Sequence, residues 1–220
     1  MKILLSWSSG KDSAWALHLL NQQYPGAVRA LLTTVNEAYE RVAMHGVRTD
    51  VVRAQAHAAG LPLQTVLIPD HCTNEAYDAR MRHAVETAVA DGFTHVAFGD
   101  LFLRDIRTYR EERLAGTGLV PLFPLWDLPT PALASTMIDA GLRARITCID
   151  NRRTPENLVG RDFDRRLLAD LPAAVDPCGE NGEFHTCVYA GPMFNQPLSL
   201  VPGEQVRRDP FVWSDLLLQS

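Results

Sequence analysis

Apolar residues fall in short runs separated by stretches of helical length, beginning with Ile3-Leu4-Leu5 between Lys2 and Trp7. A run with no alternation reads as a strand buried on both faces. Ala14 to Leu20 predicts a helix, and Ala27 to Val35 a second buried strand. After a polar stretch, Asn36 to Gly46, a helix is expected from about Thr49 to Ala59, closed by Gly60 and Pro62. Leu63 to Ile68 reads as a third strand. Tyr77, Met81, Ala84, Val85 and Ala88 then keep helical spacing behind a Thr73 or Asn74 cap. Thr94 to Phe98 is a fourth strand, and about Leu103 to Leu114 a further helix. Strands alternating with helices predict a doubly wound parallel sheet, an α/β fold with helices on both faces. Ligands of such sheets sit beyond the carboxyl ends of the strands.

The proline-rich segment Pro121 to Pro131 is the expected boundary between a domain of residues 1–124 and a smaller α+β domain of residues 125–220. Beyond it the pattern predicts a helix from Pro131 to Ala140, a strand from Leu142 to Ile149 and a helix near Leu158 to Leu171. Short strand-like pieces run from Phe184 to the end.

Composition narrows the class. With 46% hydrophobic and 21% charged residues the chain reads as an ordinary globular protein, and a net charge of −5 argues against general nucleic-acid binding. No apolar run approaches the ~20 residues of a membrane span, so no membrane partner is expected. The first run reads as a core strand rather than a signal peptide. Cys72, Cys148, Cys178 and Cys187 form no C-x-x-C pair and read as reduced thiols, which places the protein in the cytoplasm.

The chemistry concentrates at the first strand-to-helix turn, Ser8-Ser9-Gly10-Lys11-Asp12-Ser13. A strand, a short Gly/Ser loop and a helix aim unpartnered N–H groups and the positive end of a helix dipole at one spot, a setting for phosphate. Gly10 permits close approach or a positive φ, and the serines add hydroxyls. Lys11 is one of two lysines among 21 basic residues; a compact ammonium suits a point contact to phosphate. A plain strand-to-helix turn with a serine cap is the bland alternative.

Gly99-Asp100 lies at the mouth end of the fourth strand, with Arg104 and Arg107 on one face of the next helix. These could meet phosphates or a carboxylate, or form a solvated face with Arg107–Glu111 pairing. Glu180 and Glu183, set among Gly179 and Gly182, could hold Mg²⁺, a cationic substrate or an amine. By spacing alone a turn with solvated glutamates is favoured slightly. Glu37, Tyr39 and His45 follow the second strand; a lone histidine there is more often a cap or a surface residue.

The loop lacks the spacing of a Walker A sequence or a dinucleotide fingerprint. It resembles the S-G-G-x-D-S pyrophosphate loop (PP-loop) of the ATP pyrophosphatase superfamily, with Ser9 where that family has its first glycine. Gly179, Glu180, Gly182, Glu183, Phe184 and Thr186, then Pro192 and Phe194, resemble the C-terminal signature of the diphthine–ammonia ligase family. The two motifs stand in that family's order and span nearly the whole chain. The resemblance implies a PP-loop nucleotide domain, and ATP and Mg²⁺ as cofactors. It implies a carboxylate substrate, diphthine on a protein or a small molecule, activated as its adenylate with release of pyrophosphate. Ammonia or an amine then displaces AMP. Ser8, Ser9, Gly10, Lys11 and Ser13 would cradle pyrophosphate, Asp12 would take Mg²⁺, and Gly99 and Asp100 would border the nucleotide. Glu180 and Glu183 would act at the acceptor pocket, with Glu37, Tyr39, His45, Arg104, Arg107, Gly182, His185 and Thr186 around the substrate. A homodimer is compatible with the pattern. Open alternatives are another carboxylate, as in cobalamin salvage, a thiolating or argininosuccinate-type enzyme, and a nucleotide sensor resembling the universal stress proteins.

Overall fold

The structure, a computed structural model, describes residues 1–219. In chain order the first half comprises β1 (Ile3–Ser6), α1 (Lys11–Gln23), β2 (Val28–Asn36), β3 (Arg41–Val42), α2 (Thr49–Ala58) and β4 (Leu63–Ile68). It continues with α3 (Asn74–Ala90), β5 (His95–Ala97), α4 (Arg104–Leu114) and β6 (Val120–Leu122). Five of these strands form a parallel sheet in the order β4-β2-β1-β5-β6, and β3 pairs antiparallel with the end of β2.

The chain winds outward from β1 through β2 to β4, then crosses back to β5 and β6. Right-handed crossovers therefore put α1 and α2 on one face and α3 and α4 on the other. Side-chain alternation follows: Ile3, Leu5 and Trp7 pack with α1 and α2, while Leu4 packs with Val96, Phe98 and Ala88 of α3 on the opposite face. The winding reverses at β1, so the crevice for a ligand opens beyond its carboxyl end.

The second half holds α5 (Thr130–Asp139), β7 (Arg143–Asp150), α6 (Arg165–Asp170), β8 (Phe184–Ala190), β9 (Leu200–Arg208) and β10 (Phe211–Leu218). Its sheet is antiparallel, ordered β8-β7-β10-β9. One buried cluster runs from β1, α1 and α2 through α5 into β7, β8 and β10, so the two sheets share a core.

Two expectations need correction. Residues near Leu158 to Leu171 are not one helix. A 3-10 turn, Glu156–Leu158, is followed by extended chain along β7, where Gly160 N donates to Ile146 O (2.8 Å) and Phe163 N to Ala144 O (2.7 Å). Helix resumes only at α6, which Asp164 caps by accepting from Leu167 N at 2.7 Å. Gly160, at φ +80°, supplies the break. The terminal pieces are also not short: β9 and β10 are a hairpin of nine- and eight-residue strands.

Candidate functional site

The turn after β1 is clamped from both sheets. Trp7 Nε1 donates to Gln55 Oε1 at 2.9 Å, and Gln55 Nε2 donates to Ser9 O (3.0 Å) and Val188 O (2.7 Å). Val188 N donates to the same Ser9 carbonyl at 2.9 Å. Fully buried Gln55 on α2 thus joins the turn to β8. The positive φ of this turn lies at Ser9 (+72°), whereas Gly10, the cap residue of α1, has φ −88°. Glycine is needed at position 10 for proximity, since a β-carbon there would lie 2.6 Å from His45 Cε1. Ser9 is fully buried, and its Oγ has no hydrogen-bond partner.

A cavity of about 790 Å³ opens at this turn and runs under α3 and α4. Ser8, Lys11, Asp12, Ser13, Gly99, Asp100, His45, Glu180, His185 and Thr186 line its polar end; Ser9 does not. The Ser8 and Ser13 hydroxyls lie 3.2 Å apart there, beside the first turn of α1, whose N–H groups lack intrahelical partners. Gly99 must be glycine for the helix to pass: a β-carbon would meet Ser13 N and the Asp12 carbonyl carbon at 2.9 Å.

The opposite wall is the loop before β8. Asp176 Oδ2 accepts from Cys178 N (3.1 Å) and Glu180 N (3.0 Å), curling the loop. Glu183 Oε1 accepts from Asp176 N (3.1 Å) and Asn181 Nδ2 (3.0 Å); its other oxygen is buried and unpaired. Glu183 therefore faces the loop interior, and neither it nor Gly182 lines the cavity. Glu180 does, accepting from Leu101 N at 2.8 Å across the seam. Burial pushes its carboxyl up to about 7, against the pull of the Leu101 N–H.

Lys11 spans the two walls. Its buried ammonium pairs with Asp12 at 2.8 Å, donates to Cys178 O, and lies 5.4 Å from the Phe184 ring centre. Burial is the largest single influence and disfavours this cation, but Asp12, Cys178 and Glu180 together outweigh it and the pKa is raised. Thr186 Oγ1 accepts from Lys11 N at 3.1 Å, while Thr186 O lies 2.9 Å from His45 Nδ1. The His45 and His185 rings lie 4.7 Å apart, and burial lowers them to about 4 and about 3.

Other candidates stand elsewhere. Glu37 pairs with Arg80 at 3.6 Å, and exposed Tyr39 packs with Arg208; neither lines the cavity. Arg107 pairs with Glu111 at 2.8 Å and stacks on Phe123 and Trp126, and Arg104 is also outside the cavity wall. Arg82, Arg110 and Arg113 line it instead, and Arg110 is paired with Asp100 at 2.5 Å and stacked over Phe98. Residue 110 shares a face with 103 and 106, a spacing the sequence displays. Asp215, held by Arg41 (2.7 Å) and Arg48 (2.6 Å), fixes the segment carrying His45; partners 174 and 167 residues apart leave no sequence signal. Among the described residues no group of three or more His, Cys, Asp or Glu side chains is arranged to hold a metal ion. No helix there is long and apolar enough to cross a membrane.

A family model described as the diphthamide synthase N-terminal domain matches residues 1–118, and one described as the diphthamide synthase C-terminal domain matches residues 129–213. The chain belongs to the diphthamide synthase family. Both halves of the site fall within the family's matched ranges, the turn in one and the Cys178–Thr186 wall in the other. A diphthine–ammonia ligase of Schizosaccharomyces pombe is 25% identical over 224 residues, covering 94% of this chain. The chain spans 37% of that relative's length. The family resemblance read from the two motifs is borne out.

Proposed function

We propose that this chain is an ATP-dependent amide-forming ligase of the pyrophosphatase type. The observation that carries the reading is the meeting of the α1 N-terminus, with the Ser8 and Ser13 hydroxyls, and Glu180 in one cavity. The phosphates of ATP would lie on the first-turn N–H groups and the two hydroxyls, where a helix N-terminus favours anions. A substrate carboxylate attacking the α-phosphorus gives an acyl adenylate and pyrophosphate; ammonia or an amine then attacks the acyl carbon and AMP leaves. The chain's work is alignment and stabilisation of developing charge.

Asp12 suits a hard cation: its Oδ1 is buried without a hydrogen-bond partner. With no cluster of three ligands, Mg²⁺ would share Asp12 with phosphate oxygens and water, and would neutralise charge on the leaving pyrophosphate. Glu180 would border the nucleophile. Glu183 and Lys11 would act indirectly, one shaping the loop and the other tying it to α1. The buried Cys148, Cys178 and Cys187 thiols, all raised by burial, do not favour a thiolating reading. The name of the S. pombe relative supports diphthine as the acyl group and ammonia as the nucleophile.

The test supplies ATP, Mg²⁺, ammonium and elongation factor bearing diphthine. AMP and pyrophosphate in equal amounts, with amide formed on the protein, is the expected result. ADP and phosphate would overturn the mechanism. ATP cleavage with small carboxylates alone would move the substrate away from diphthine.

A further inference from the structure

His45 and His185 are an imidazole pair that the alignment chemistry above does not use. The His45 ring lies against Gly10, the cap of α1, and covers the helix end, where Lys11 N donates to Thr186 Oγ1 and the cap residue offers no side chain to the Asp12 and Ser13 N–H groups. Nδ1 of His45 is 2.9 Å from the Thr186 carbonyl, which can only accept; Nδ1 therefore carries the hydrogen and Nε2 is left as a bare lone pair. His185 stacks on it at 4.7 Å, and its Nε2 is buried with no hydrogen-bond partner. Both rings line the cavity that holds the Ser8 and Ser13 hydroxyls.

We propose that this pair is a proton-acquiring phosphate clamp: when ATP binds, one imidazole takes a proton from solvent at Nε2 and donates it as a hydrogen bond to a phosphate oxygen. The inference rests on ATP phosphates lying at the α1 N-terminus. The proton comes from the acid form of the buffer, and no other bond changes.

The charges around the pair make the coupling one-directional. Burial favours the neutral form of both rings, Lys11 opposes a further cation on either, and His45 opposes one on His185. Asp12, Asp100 and Glu180 share this cavity end, and Arg82, Arg110 and Arg113 stand farther along it with Asp78 and Glu112. A polyphosphate adds several negative charges beside the rings, and an opposite charge within a few ångström favours the charged form. Mutual repulsion of the rings limits uptake to one proton per site. The wall thus gains a cation only when its anion is present.

The experiment is calorimetric titration of the whole protein with the α,β-methylene analogue of ATP, in buffers of differing ionisation enthalpy at about pH 7.5. Proton uptake makes the observed enthalpy vary with buffer enthalpy, with a positive slope below one. Affinity should fall several-fold between about pH 6.5 and about pH 8.5. In His45→Gln/His185→Gln the slope and the pH dependence should collapse while binding persists more weakly. A zero slope in the unmodified protein overturns the clamp and leaves the ATP site standing. An undiminished slope in the double variant also overturns it, assigning the proton to Glu180 or Asp12. Absence of any binding to the unmodified protein would instead remove the ATP reading itself. Since the first criterion needs no variant, a double variant that fails to fold leaves the clamp falsifiable.

Discussion

Under α1 and α2 the parallel sheet is sealed, while under α3 and α4 it is not. Ala14, Ala16, Leu17, Val51 and Val52 are fully buried, and α5 with the antiparallel sheet extends that packing into one core. On the other face α3 buries only Ala88 and α4 only Leu114, and the cavity runs between these helices and β1. Both faces follow the same alternation along the strands. The difference is topological: two helices flank the point where winding reverses, and the second half walls only the polar end of the gap. Close packing is concentrated on the face that holds the loop's backbone, and space on the other.

The largest expected effect lies where the sealed face grips the loop. Gln55→Leu leaves Trp7 Nε1 without its partner and removes both side-chain donations to Ser9 O and Val188 O. Buried polar groups left unmatched cost about 1–3 kcal/mol each, so a loss of about 3 kcal/mol in urea unfolding is expected. A loss below about 0.5 kcal/mol would mean the turn is held by other bonds.

Equal substitutions on the two faces test the contrast itself. Ala16→Leu forces three carbons into a filled core and should cost about 2 kcal/mol. Ala84→Leu on α3 points the same carbons into the cavity wall and should cost less than about 0.5 kcal/mol. Similar losses at both sites would show that the cavity is not open space to a side chain.

Electrostatic effects at the seam come next in size. His45 and His185 fall from 6.5 to about 4 and about 3, so their contribution to stability is present above pH 6.5 and is lost as pH falls through about 4. Glu180 rises from 4.5 to about 7; its contribution is present below pH 4.5 and is lost as pH climbs through about 7. The opposing slopes flatten the profile between them. Glu180→Gln should therefore steepen the gain in stability between about pH 5 and about pH 7, read by urea midpoints. An unchanged profile would place Glu180 in water.

The strands and helices of the first half were legible because buried parallel strands and capped helices carry local signals; Thr73, for example, caps α3 by accepting from Ala76 N at 3.2 Å. The segment after Leu158 misled because Phe163, Leu167 and Leu171 keep helical spacing while residues 160–163 pair with β7. Within the site, Ser8, Ser13, His45, Glu180 and His185 were visible as types in a pattern and converge on the cavity. Gln55 and Asp215 were not visible, because their meaning comes from partners across the fold.

The smallest effect concerns the residue that departs from the resembled loop. Ser9 adopts φ +72°, a conformation glycine reaches at no cost and other residues reach at about 1–2 kcal/mol. Its hydroxyl is buried with no partner, a further penalty of about 1–3 kcal/mol. Ser9→Gly removes both, but gives up the packing of a buried β-carbon and adds about 0.4–1 kcal/mol of unfolded-state freedom. A net gain of about 1 kcal/mol follows from these opposing figures. Because Ser9 is absent from the cavity wall, affinity for the α,β-methylene analogue of ATP should not change. A more stable variant with unaltered binding would make Ser9 a strained substitute for glycine. Loss of affinity with unaltered stability would instead make its hydroxyl a phosphate ligand, turned toward the cavity when the nucleotide arrives.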